Sequence, residues 1–198
     1  MIFDVMKTIL FFFPEGKKFN ESNYKESKQF KRLIKSRDKY LKDHTLILEL
    51  ETKLKNVLLE YAIANWTSLQ DSNCFEFKVL LHDNQPILDD DVQLMRLLGG
   101  TRTDLRIFIS ILAKYYYFFI EETHYDVTSQ RWSFKTLNEF SIEIENSIAR
   151  LQNLMNLEGY IELSTEIINT IVEGVETELI EQGNVKVFHC LFTDLVNP

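Results

Sequence analysis

Residues 104–126 read DLRIFISILAKYYYFFIEETHYD. Five consecutive aromatics, Tyr115 to Phe119, run straight into Glu121, Glu122, His124 and Asp126. β-Branched and aromatic residues dominate, no glycine or proline interrupts them, and such residues favour extended backbone. We therefore read 104–122 as one long strand. On a strand Tyr115, Tyr117 and Phe119 share one face, and Tyr116, Phe118 and Ile120 share the other. Both faces are large and apolar, so either the strand is central and covered on both sides or one face is open to a partner. The apolar run Ile107–Ile120 contains Lys114 and is too short to cross a bilayer.

Downstream, HYDVTSQRWSF (124–134) reads as a turn, Asp126 to Gln130, entering a second strand. Thr136 and Glu139 have the spacing of a capping box. Leu137, Phe140, Ile144, Ile148, Leu151 and Met155 then recur at helical spacing until Gly159. LSTEIINTIVEG (163–174) reads as a shorter helix, with Ser164 as N-cap and Gly174 as stop. Residues 175–196 read as a hairpin turning at Glu181–Asn184. This helix–helix–hairpin order has the outline of a winged helix.

Upstream, VMKTILFFF (5–13) is short, apolar and closed by Pro14-Glu15-Gly16, which suggests a strand and a turn. Ile47, Leu50, Leu54, Val57 and Tyr61 mark an amphipathic helix over about 46–66. CFEFKVLLHDNQP (74–86) alternates as a strand ending in an Asp83-Asn84 turn. Asp89, Asp90 and Asp91 crowd the start of a short helix that Gly99-Gly100 stops, so capping accounts for them better than a cation site. The fold class is α+β: a mostly antiparallel sheet with long amphipathic helices packed on it, in a single domain over 1–198 with segment 17–42 at its periphery.

The net charge of −8 conceals a gradient. Residues 1–60 carry 13 Lys+Arg against 9 Asp+Glu, whereas 61–198 carry 9 against 21. The basic residues concentrate in Lys17–Lys42, with ten cations and three acids. The acids concentrate in 121–198, with fourteen against four. Such a molecule has a strong dipole unless folding brings its two ends together.

Catalytic motifs are missing: there is no glycine-rich phosphate loop, no GxSxG, no HExxH and no paired CxxC. No metal or cofactor is expected. Cys74 and Cys190 match no redox or ligand spacing, the N-terminus lacks the form of a signal peptide, and both features suggest a cytoplasmic chain with reduced thiols. His189 and Cys190, as neighbours on a strand, point to opposite faces and make a poor nucleophile pair. A small metal-dependent or acid–base hydrolase built on His124, His189 and nearby glutamates, with His82 as a further ligand, is one alternative. A nucleic-acid-binding regulator is another, because Phe19, Tyr24, Phe30 and Tyr40 interleave with the cations of 17–42.

A protein-binding role fits the residues best. Tyr115, Tyr117, Glu121, Glu122, Asp126, Glu176, Glu178 and Glu181 are the expected contacts, with charge hastening encounter and rings supplying affinity. On those features the chain is similar in type to bacterial immunity proteins, small acidic cysteine-poor proteins that plug basic toxin domains. The composition, rich in Lys, Asn, Ile and Phe, fits a low-GC bacterium. That likeness implies an inhibitor that masks a basic partner. A homodimer pairing the basic end of one subunit with the acidic end of another is the remaining expectation.

Overall fold

The computed structural model describes residues 1–82, 91–137, 139 and 141–196. In chain order the elements are α1 (Ile2–Phe12), α2 (Ser22–Lys25), α3 (Lys28–Lys42), α4 (Thr45–Val57), β1 (Ala62–Asn65) and β2 (Cys74–Leu80). They continue with α5 (Val92–Leu97), β3 (Thr101–Ser110), β4 (Tyr115–Asp126), β5 (Arg131–Leu137), α6 (Ile142–Leu157), β6 (Ile161–Glu162), α7 (Thr165–Ile168) and α8 (Val187–Leu191). The strands form one sheet in the order β1-β2-β3-β4-β5, all antiparallel, and the short β6 lies parallel to the start of β4. The α+β architecture is therefore as the sequence reads.

The stretch 104–126 is extended on either side of a reversal, so it is two strands, not one. β3 and β4 pair with Asp104 opposite Glu121 and Ile109 opposite Tyr116. The reversal falls at Ile111–Lys114, around the only charge in the apolar run. There Ser110 Oγ accepts from Leu112 N, Tyr115 N donates to Ala113 O, and the Lys114 ammonium sits 3.9 Å over the Tyr160 ring. Side chains close this turn without glycine or proline, which is why punctuation residues did not announce it.

Both faces of β4 are covered. Tyr115, Tyr117 and Phe119 join Phe108 and pack against Val5, Ile9 and Phe12 of α1 and Phe188 and Leu191 of α8. Tyr116 and Ile120 join Phe77 and Ile107 against Leu50 and Leu54 of α4 and Leu151 and Met155 of α6. Three layers result, helices on either side of the sheet. Two-sided burial explains an apolar run without alternation.

Several local expectations are overturned. Residues 5–12 are helical, with Phe13 as the extended C-cap: Val5, Ile9 and Phe12 are the buried set of α1, at spacings of four and three, and Pro14 follows the cap. Lys7 and Thr8 alone interrupt the apolar residues, so a run this short offers little periodicity by which to choose. The helix read over 46–66 stops at Val57, and Ala62–Asn65 pairs with β2 instead. Thr136 is no helix cap; it lies in β5 opposite Glu121, and Ser141 caps α6 by accepting from Ile144 N. The C-terminal hairpin, and with it the winged-helix outline, does not form. Only a bridge between Ile171 and Lys186 remains, and 187–191 coils into α8, whose five residues are all buried. Lys186 N donates to His189 Nδ1 across its first turn.

Other readings hold. Asp91 caps α5, accepting from Gln93 N and Leu94 N; Asp89, Asp90 and the Asp83-Asn84 turn lie outside the described residues. Ser164 caps α7, although that helix ends at Ile168, well before Gly174. Segment 17–42 is less peripheral than its charge suggests, since Tyr24 and Leu33 are buried.

Candidate functional site

The sheet face under α1 and α8 is only half covered. Successive pairs across the strands define it: Glu76 opposite Phe108 opposite Tyr117, Lys78 opposite Arg106 opposite Phe119, and Arg102 opposite Thr123 opposite Phe134. Phe108 and Phe119 belong to the apolar layer. Beyond them the same face turns polar and opens into a cleft of about 810 Å³. Glu76, Lys78, Arg102, Arg106 and Glu121 form its floor, and Trp66, Trp132, Phe134 and Leu195 line its walls.

The floor is an ion-pair network. Arg106 Nη2 lies 2.5 Å from Glu76 Oε1, and Nε donates to the same oxygen at 3.1 Å. Arg106 Nη1 donates to Glu121 Oε1 at 3.0 Å. Burial alone would lower the Arg106 pKa, but the two carboxylates outweigh it and hold the guanidinium above its usual range. Its Cζ also lies over the rings of Phe108 and Phe119, at 5.2 and 5.5 Å from their centroids, so it joins the polar and apolar halves of the face. Arg102 Nε donates to the fully buried Asp104 Oδ2 at 2.8 Å. His82 Nε2 stands 3.4 Å from Asp104 Oδ1, not aligned as a hydrogen bond.

The walls are aromatic. The Lys78 ammonium lies 4.1 Å over the Trp66 ring, a cation–π contact that holds the indole at the rim. Trp132 packs on Tyr125 with centroids 4.6 Å apart. Phe134 is 66% exposed, far more than its size warrants in a strand, and Leu195 beside it is also open. The segment carrying Leu195 is pinned by Ser72 Oγ donating to Thr193 Oγ1 and by Asn73 N donating to Phe192 O. Chemically, the cleft offers large rings for a partner's apolar groups above a floor of alternating charge.

The expected contact residues are dispersed. Tyr115 and Tyr117 are each 8% exposed and belong to the core, so they offer no open face. Glu121 lines the cleft, whereas Glu122 lies on the opposite side of the sheet, opposite Lys135. Asp126 closes the β4–β5 turn, accepting from Thr128 N, Ser129 N and Ser129 Oγ. Those bonds, the Ser129 hydroxyl first, hold its carboxyl below the usual range. Glu176 Oε1 accepts from Phe19 N, Glu178 lines a separate hollow with Arg37 and Asp194, and Glu181 is exposed in a turn. These acids share no cavity with Glu121 among the described residues.

The catalytic alternatives lose their geometry. His124 points to the α4–α6 side with Thr101, which it meets at 3.2 Å, while His189 is buried in α8 on the other side of the sheet. Among the described residues no three His, Cys, Asp or Glu side chains gather as a metal site requires. Cys190 is on a helix, not a strand, and burial pushes the thiols of Cys74 and Cys190 up. A raised thiol is a poor nucleophile. In the basic segment, Phe19, Tyr24 and Phe30 pack edge-on against one another and Tyr40 against Phe75, so these rings pack within the protein.

The sequence reading passed over Glu76, Lys78, Arg102, Arg106, Trp66, Trp132 and Phe134. A signal was present: in CFEFKVL and TRTDLRIFIS charged residues stand at every second place among apolar ones, which puts them on a single strand face. No protein-family model, no curated protein and no solved structure matches the chain. Among the described residues no helix is long and apolar enough to cross a membrane.

Proposed function

We propose that this chain is a non-enzymatic, cytoplasmic protein-binding module of the bacterial immunity or inhibitor type, which masks a basic partner such as a toxin domain. The observation that carries the reading is the open cleft walled by Trp66, Trp132, Phe134 and Leu195. Exposed rings around a desolvated polar floor are the composition of an interface centre. The contact role first assigned to Tyr115 and Tyr117 passes to Trp132 and Phe134, while Glu121 keeps its place in the floor. The acidic excess of residues 61–198 favours encounter with a basic surface, and Glu176, Glu178 and Glu181 contribute to that field from outside the cleft.

The test is site-specific photo-crosslinking in the native host. A crosslinker at position 134 should trap one basic protein, sensitive to salt during encounter and lost when Trp132→Ala is added. A crosslinker at Leu157, exposed on α6, should trap none of it. Equal trapping at both positions, or none at position 134, would sink the reading.

A further inference from the structure

The basic segment and the N-terminal helix form a second surface, independent of the cleft. At 100° per residue, Lys28, Lys31, Arg32, Lys35, Lys39 and Lys42 fall within an arc of about 100° on α3. All six are exposed, and they run the length of a helix about 22 Å long. Asp38, the only acid on α3, lies at the margin of the arc. The opposite face carries Phe30 and Leu33 into the core.

α1 lies alongside. With Val5, Ile9 and Phe12 buried, the same geometry turns Phe3, Lys7, Leu10 and Phe11 outward. Phe3 is 67% and Phe11 51% exposed, and Leu10 is open as well. The Arg32 guanidinium lies 4.1 Å over the Phe11 ring, and its Nη1 donates to Phe11 O at 3.3 Å. Lys7 covers Phe3 at 4.2 Å. Cationic row and apolar row are thus fastened into one surface of two adjacent helix ridges.

We infer that this surface docks on a lipid bilayer with anionic headgroups. A bilayer places hydrocarbon directly beneath a plane of negative charge, so one flat target meets both rows without shape complementarity. Neither row suffices by itself: a cationic row without the rings fits any polyanion, and the rings without the cations fit any apolar patch. The net charge of −8 does not forbid the approach, because charges farther than about 8–10 Å from the headgroup plane are screened in physiological salt. α1 lies on the surface and does not span the bilayer, in keeping with its eleven residues.

The experiment is co-sedimentation of the full chain with vesicles of phosphatidylcholine containing about one third phosphatidylglycerol, with pure phosphatidylcholine vesicles as control. The protein should pellet with the first and not the second. A lysine near such a surface is worth about fivefold in partition, so Lys31→Ala with Lys35→Ala should weaken binding about 25-fold. Phe3→Ser with Leu10→Ser should weaken it at least about tenfold. Both pairs are exposed, and unchanged circular dichroism and thermal midpoint would show that the fold survives. Equal pelleting with both vesicle types, indifference to either double variant, or retardation of an oligonucleotide without vesicle binding would each overturn the proposal.

Discussion

Replacing Arg106 with methionine removes the cation that two carboxylates share. The side chains of Arg106, Glu76 and Glu121 are between 11% and 13% exposed, so water stands in poorly for the guanidinium. Three hydrogen bonds vanish, and two like charges remain facing one another in the floor of the cleft. Breaking a buried ion pair from one side costs about 3–5 kcal/mol, chiefly because the abandoned charge stays buried. For a chain of this size, each kcal/mol lowers the midpoint by about 2–4 °C, so Arg106→Met should melt roughly 10 °C lower. Urea titration should show the same loss with an unchanged slope. Adding Glu76→Gln and Glu121→Gln removes the unbalanced charge and should return most of the stability, because a neutral replacement of the whole network is far less costly than a broken one. A loss under about 1 kcal/mol for Arg106→Met, or a triple variant no more stable than the single one, would refute the idea that the network is a closed unit.

Two further outcomes follow from other buried groups. Burial first, then the neighbouring Tyr40 and Glu158, push the Tyr160 phenol up to about 12 from its ordinary 10. The folded state therefore holds this proton more tightly than the unfolded chain; its contribution is complete below pH 10 and is lost as pH rises from 10 to 12. Phenolate absorbance should show Tyr160 ionising together with alkaline unfolding, and Tyr160→Phe should remove that share of the pH dependence. A Tyr160 that titrates at an ordinary value in a still-folded protein would contradict this. Cys74 and Cys190, both fully buried, should resist a thiol-specific reagent in the native protein and react at two equivalents in urea. Rapid native labelling of either would show that the layer between the sheet and α8 opens readily.

What the sequence disclosed and withheld has a physical pattern. The strand character of 104–126 was legible because β-branched and aromatic residues favour extended backbone whatever surrounds them. α6 was legible from its period, and Asp91 and Ser164 from cap chemistry. Residues 5–13 and 187–191 were misread for one reason: both are short, mostly apolar and packed against partners far away in the chain, so tertiary packing and not local pattern decides their conformation. The β3–β4 reversal escaped because a serine hydroxyl and a lysine over a ring do the work usually given to glycine. The cleft was half legible. Its floor follows from the alternation in 74–80 and 101–110, but its walls bring together Trp66, Trp132, Phe134 and Leu195, whose proximity only the sheet order and the course of the C-terminal segment determine.

The core that includes Val5, Ile9, Phe12 and Phe13 is completed by Val185, Val187, Phe188, Leu191 and Phe192, nearly the whole chain away. A ribosome makes these halves in that order, at about 5–20 residues per second, so α1 waits on the order of ten seconds before this last part of its covering exists. During that interval the part of its apolar side that α8 will cover faces solvent, where other nascent chains and holdase chaperones compete for it. The opposite layer has no such delay between its first and middle elements, since α4 meets β2 and β3 as soon as they emerge. Vectorial synthesis therefore favours assembly of the sheet on α4 first, and leaves the seam between the two ends of the chain as the last to close.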